Sequence, residues 1–168
     1  MEAKQEASKK TESKEGMHRV DTNYHSPYAI IRGVGLPISL KASVEICNLL
    51  RHKETKKAKS IMERVIKKQQ PVPFKIYRGE TPHRAGKIAE GRYPIKASKE
   101  FLQLIKSVEG NAHNIGLAGN LVITEIRAGK GPQQFHYGRQ RRIRHKRTHV
   151  TIKVSEQAGS KKSQEKQK

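Results

Sequence analysis

Residues 138–156 read "GRQRRIRHKRTHVTIKVSE" and join two unlike kinds of chain. In the second half Val150, Ile152 and Val154 alternate with Thr151 and Lys153. Successive side chains of a strand point to opposite faces, so this half reads as a strand with one buried face. The first half carries Arg139, Arg141, Arg142, Arg144, Lys146 and Arg147, and no carboxylate lies between Glu125 and Glu156. Such a run repels itself and cannot form the interior of a core. A strand that emerges from it needs a second strand to pair with. The cations need a counter-charge from outside the fold.

The second strand lies upstream, in "NLVITEIRAGK", residues 120–130, where Val122, Thr124 and Ile126 are expected to share a face. Its apolar alternation weakens beyond Ala128, where basic residues begin to gather. The two segments predict a hairpin arm over 120–155. From Leu121 to Gly138 the extended chain covers roughly 55 Å at about 3.3 Å per residue. A body of about 130 residues has a radius of gyration near 14 Å. The far half of the arm is therefore expected to project, and an isolated ribbon is marginal in water. Order at its tip is expected to come from a partner that surrounds it.

The 168-residue chain has a formal net charge of +21, which points to a polyanion. Nucleic acid fits better than a membrane, because no run approaches the 18–20 or so apolar residues of a span and the chain opens on "MEAKQEASKK" without a signal core. Cys47 is the only cysteine, which rules out an internal disulfide and a cysteine zinc site and points to the cytosol. Residues 1–22 and 157–168 are polar tails expected to be disordered, leaving one domain over 23–156.

Within that domain the run Ala29, Ile30, Ile31 before Gly33 and Gly35 predicts a short strand. Ser39 is the expected cap of a helix to about His52, with Leu40, Val44, Cys47 and Leu50 on its apolar face. Thr55 is the expected cap of a second helix, with Ala58, Ile61, Met62, Val65 and Ile66 inward, Lys56, Lys57, Lys59, Arg64 and Lys67 outward, and Pro71 and Pro73 as its stop. "VPFKIY" reads as extended chain and "RGETPHRAGKIAEGRYP" as a long basic loop, of a length that is usually functional or disordered. A third helix is expected from Ile95 to about Ile115, burying Phe101, Ile105, Val108, Ala112 and Ile115 and ending at Gly116. Gly110 inside it suggests a close packing contact.

Arginine suits burial in nucleic acid because its planar fork holds phosphate at two points and stacks on bases. Phe135, Tyr137 and Ile143 add apolar or stacking surface to the tip. The competing reading is a solvated charge run or a localisation signal. His83, Arg84, Lys87 and Arg92 form a second basic site whose glycines admit phosphate close to the backbone. The spacing is not that of a nucleotide-binding loop, and Gly33-Val-Gly35 lacks the third glycine of a dinucleotide fingerprint. His136, His145 and His149 have no carboxylate or thiol beside them to complete a metal site. Glu45, Glu63, Glu100 and Glu109 read as solvated helix faces rather than converging acids, and Cys47 as a core residue, so no catalytic group is expected.

"GLPISLKASVEICNLL", "VPFKIY", "HRAGKIAEGRYP", "SVEGNAHNIGL" and "GRQRRIRHKRTHVTIKVSE", in this order over about 24–156, resemble the twenty-second large-subunit ribosomal protein family. "VPFKIY" and "HRAGKIAEGRYP" resemble the insertion of its archaeal and eukaryotic branch, whose eukaryotic name carries the number seventeen. The resemblance implies an α+β fold: three helices packed on a small three-stranded antiparallel sheet with a long protruding β-hairpin. It implies a structural, non-enzymatic protein of the cytoplasmic large ribosomal subunit. The partners implied are large-subunit ribosomal RNA, neighbouring ribosomal proteins including the fourth at the tunnel constriction, and the nascent peptide. No cofactor, metal, membrane or self-oligomer is implied. The positions carried over or counted as RNA-binding are Arg139, Arg141, Arg142, Arg144, Lys146, Arg147, Lys130, His83, Arg84, Lys87, Arg92, Lys41, Lys56 and Lys57. The Asn111-Ala112 pair matches the family's third helix. Phe135, His136, Tyr137, Gly138, Arg139 and Gln140 stand at the tunnel tip, where "FHYGRQ" lacks the family's proline, Gln140 replaces an alanine and the tip is a few residues shorter. The alternative is a free-standing RNA chaperone or regulator using the same patches.

Overall fold

The computed structural model describes residues 28–117, 119–139 and 142–156. The two expected tails, with Gln140 and Arg141, lie outside the described residues. The order is β1 (Tyr28–Leu36), α1 (Leu40–Leu50), α2 (Thr55–Ile66), β2 (Val72–Pro73), β3 (His83–Arg84), β4 (Ala89–Arg92), α3 (Ile95–Asn114), β5 (Leu121–Lys130) and β6 (Thr148–Glu156). β6 is the middle strand of an antiparallel sheet ordered β1-β6-β5, and β2-β4-β3 make a second, smaller sheet.

Val150, Ile152 and Val154 are fully buried, as their alternation requires, and Ala29 opposite Val154 is buried with them. β5 departs from the expected face. Its buried residues are Leu121, Ile123 and Ile126, while Thr124 is exposed. The register shifts between Ile123 and Glu125, and one extra residue moves the following side chains to the other face. β1 is nine residues long rather than short: Gly33 is still paired opposite Val150, and the strand continues past an irregularity that contains Gly35 to Leu36 opposite Thr148.

The helices cover one face of the sheet. α2 buries Ala58, Ile61, Met62 and Val65 and α3 buries Phe101, Ile105, Val108 and Ala112, all at helical spacing. Removing each large side chain from water stabilises the fold by about 1.5–3 kcal/mol. α1 is rotated from the expected stripe: Ser43, Ile46, Cys47 and Leu50 are buried, and Val44 is only half-buried. Ser39 stands at the cap position, but its side chain makes no cap bond. Ser43 Oγ donates to the Ser39 carbonyl instead. Thr55 is not the second cap; Glu54 takes that place, and Thr55 is buried in the first turn. α3 ends one residue early and leaves Ile115 exposed. Gly116, at φ +87°, donates to the His113 carbonyl, and Leu117 donates to that of Ala112. This pair of bonds satisfies the last carbonyls and needs a left-handed residue at Gly116. Gly110 makes no close packing contact; a Cβ there would meet nothing within 4 Å.

The segment read as a long basic loop holds two strands. Phe74 N–H donates to the Glu90 carbonyl next to the β2–β4 pairing, and Phe74 is buried. One carboxyl fastens this insertion to the body. Glu45 Oε1 accepts 2.8 Å hydrogen bonds from both the Ile76 and the Tyr77 backbone N–H. Glu45 is 1% exposed, not the solvated acid expected, and its Oε2 has no partner among the described atoms. A buried polar group is retained at such a cost only where it satisfies others. Glu109 likewise is not merely solvated: it pairs with Lys59 at 2.7 Å across α3 and α2.

Two outcomes follow from this packing. Glu45→Ala is expected to destabilise the chain by about 1–3 kcal/mol. Hydrogen exchange at the Ile76 and Tyr77 amides should quicken far more than at α2 or α3. Burial pushes the Cys47 thiol up from its ordinary 9.0 to about 12, with Arg51 opposing. The buried neutral thiol therefore stabilises the fold fully below pH 9.0, and that contribution is lost as pH rises towards about 12. Alkylation of native Cys47 at pH 9.0 should run no faster than unfolding.

Candidate nucleic-acid interface

Beyond the shift at Thr124 the β5–β6 ladder pairs residue by residue from Glu125 to Lys130 opposite Thr148. Beyond it Gly131 N–H donates to the Arg147 carbonyl at 2.9 Å. Gly131 is buried there, and a Cβ would stand 3.1 Å from the Arg147 backbone, so the two arms meet at a position that favours glycine. Pairing resumes at Phe135 opposite Arg144, with His136 N–H to the Ile143 carbonyl and His145 N–H to that of Gln134, both 2.8 Å. The arm is thus a paired ribbon on both sides of a gap at 132–133.

The root of the return arm is held by the end of β1 and the turn after it. Arg147 Nη1 donates to the Gly35 carbonyl, Gly35 N–H donates to His149 Nδ1, and buried Thr148 Oγ1 donates to the Ile38 carbonyl. These bonds fix where the apolar strand ends and the cationic arm begins. Farther out, the His136 and His145 rings stack at 3.6 Å and the Arg144 guanidinium lies 4.5 Å from the Phe135 ring centroid. The far half does not simply project. His136, Ile143, Arg144 and Lys146 share a cleft of about 600 Å³ with Pro37, Ser39, Pro94 and Lys96, at the first turns of α1 and α3. The apolar face of Ile143 and the first turns of the two helices lie on the same depression, which a length argument alone does not anticipate.

Arg139, Arg142, Arg144 and Lys146 are exposed, and neither they nor Arg147 pairs with a described carboxylate. Lys130 is exposed on the outgoing arm, while Tyr137 is 94% exposed at the turn, whose Gly138 has φ +80°. The three histidines do not converge: His149 is bonded to Gly35, away from the stacked pair.

The insertion presents its cations over aromatic rings. Arg92 lies 5.7 Å from the Phe74 centroid and donates to the Glu80 carbonyl; Arg84 lies 5.1 Å from Tyr93 and donates to that of Gly91. Both therefore brace the small sheet as well as facing outward, whereas His83 and Lys87 are exposed. Lys41, on α1, stands 5.8 Å from the Tyr77 ring. A second cleft brings Lys41, Arg78 and Arg92 together with Lys146 of the arm. Sequence reading separated these into two sites and missed Arg78, whose signal was its place beside Tyr77. Lys56 and Lys57 stand apart on the outer face of α2, and Lys57 pairs with Glu54 at 3.2 Å.

Relatives fit this arrangement. The chain is 39% identical over 133 residues to the large ribosomal subunit protein uL22 of Ignicoccus hospitalis, covering 71% of this chain and 82% of that one. It is 40% identical over 129 residues to uL22 of Nanoarchaeum equitans, covering 72% and 74%. It is 39% identical over 134 residues to uL22 of Staphylothermus marinus, covering 72% and 84%. The signature of ribosomal protein L22p/L17e matches residues 31–155, from β1 through β6. The chain therefore belongs to the L22p/L17e family of ribosomal proteins.

Proposed function

We propose that this protein binds large-subunit ribosomal RNA through its hairpin arm and insertion, and lines the nascent-peptide exit tunnel with residues 135–140. As an L22p/L17e protein it is a structural component of the large subunit of cytoplasmic ribosomes and not an enzyme. One observation carries the RNA reading: the described cations from Lys130 to Arg147 lack carboxylate partners among the described residues although the backbone around them is paired. A folded ribbon with unneutralised arginines calls for an external polyanion, and phosphate matches the guanidinium fork.

Each part has a distinct job in this reading. Arg139, Arg141, Arg142, Arg144, Lys146 and Arg147 neutralise phosphates along the arm, with Lys130 on the outgoing strand. Lys41, His83, Arg84, Lys87 and Arg92 hold RNA against the insertion, and Lys56 and Lys57 add long-range attraction. Tyr137 and Phe135 offer rings for stacking on bases or on the passing peptide. The fourth large-subunit protein is the expected neighbour at the constriction.

Deleting 132–147 should leave the helical circular dichroism of the body intact, because the described core lies outside that segment. The shortened chain should lose most affinity for a large-subunit ribosomal RNA transcript. Arg142→Ala with Arg144→Ala should make the salt dependence of binding shallower by about 1.4–1.8 in log–log slope, at roughly 0.7–0.9 per phosphate contact. In cells the intact chain should sediment with large subunits through a high-salt sucrose gradient. Recovery only near the top of the gradient would instead favour a free-standing RNA chaperone.

A further inference from the structure

The sheet β1-β6-β5 buries only one of its faces. Ala29, Gly33, Ile123, Ile126, Val150, Ile152 and Val154 point into the core, whereas their sequence neighbours are half-buried or exposed. No described helix or strand lies over this second face, and Val34 on it is 74% exposed. An uncovered face of a small sheet is ordinarily a solvated, mixed surface. Here one cross-strand row runs Arg32–Thr151–Arg127, with both arginines paired to the same central residue. Strands lie about 4.8 Å apart, so the two arginine backbones are about 10 Å apart with Thr151 between them. Both side chains are exposed. Arg127 pairs with Glu125 but remains 77% exposed.

The next row, Ile30–Lys153–Glu125, places the Lys153 ammonium 3.6 Å from the Tyr28 ring centroid. Tyr28, Arg51, Thr124, Arg127 and Lys153 border an open cleft of about 710 Å³. Its carboxylates are Glu125 and Glu156, against the three cations Arg51, Arg127 and Lys153. The face is also continuous with the arm. Thr151 and Lys153 lie on β6, the strand that the cationic return arm enters at Thr148. The open face thus begins where the cationic arm ends.

We propose that the open face of the sheet is a second RNA surface, in which Arg32 and Arg127 grip a backbone segment and Tyr28 stacks a base beside Lys153. This rests on the RNA-binding reading above and adds a surface to it. Cationic surface beside aromatic rings that stack bases is a means by which sheets hold nucleic acid strands, and here the arginine row supplies the charge while Tyr28, one row beyond Lys153, supplies the ring. An acidic protein partner would use the charges but would have no need of the half-buried Tyr28 ring beside Lys153.

The experiment compares the full chain, Arg32→Ala with Arg127→Ala, and Arg142→Ala with Arg144→Ala, each binding an in vitro transcript of large-subunit ribosomal RNA across a salt series. The sheet variant should bind about tenfold more weakly, with a log–log slope shallower by about 1.4–1.8, and its loss should multiply with that of the arm variant. Wild-type affinity and slope in the sheet variant beside a weakened arm variant would overturn this proposal and leave the arm reading standing, the face then being free or held by another protein. No loss in either variant would overturn both. Should the sheet variant misfold, ultraviolet crosslinking of the wild-type complex decides: a nucleotide adduct on Tyr28 supports the surface, and its absence overturns it.

Discussion

Everything in this molecule turns on one strand that must satisfy two environments. β6 is the centre of the sheet and has fully buried Val150, Ile152 and Val154, yet it enters the sheet straight from a run of cations without an acid. Apolar burial stabilises one end in proportion to the area removed from water, while mutual repulsion opposes compaction of the other. The boundary is set by hydrogen bonds. Thr148 reaches the Ile38 carbonyl, and Arg147 and His149 take both backbone groups of Gly35. Within three residues the chain passes from a closed core to a surface whose charge the described fold does not neutralise.

The insertion shows a different balance. It has little apolar area of its own beyond Val72 and Phe74, too little to order a long segment against its conformational entropy. Glu45 compensates by reaching out of α1 to cap two of its backbone amides with one carboxyl oxygen. Charge-assisted bonds of this kind are about twice as strong as neutral ones. The cations it presents are then pre-positioned: Arg84 and Arg92 are braced by carbonyls and rings. Such bracing lowers the side-chain entropy that any ligand of these two cations would have to remove, an effect that an unpaired loop would not provide.

Legibility followed periodicity. The stripes of α2 and α3 and the alternation of β6 were readable because one repeat period fitted each. Where a single residue shifted the phase, the reading slipped. The irregularity after Ile123 turned Thr124 outward, and α1 rotated so that Ile46 rather than Val44 is fully buried. The arm's basic residues stood out as a run, but Arg78 did not, because its membership depends on Tyr77, Lys41 and Lys146 converging from three segments. The row Arg32–Thr151–Arg127 was invisible for the same reason: its members are 119 and 24 positions from Thr151 along the chain (151 − 32 and 151 − 127) and meet only through pairing.

The amino-acid sequence by itself determined the net charge of +21, the three amphipathic helices and the existence of the arm, since each is a local property of composition or period. Tertiary structure alone decided which acid is buried, which cations converge and which sheet face stays open. Those follow from register and from helix rotation about the core, and both are set by the packing of distant segments against one another rather than by any stretch read alone.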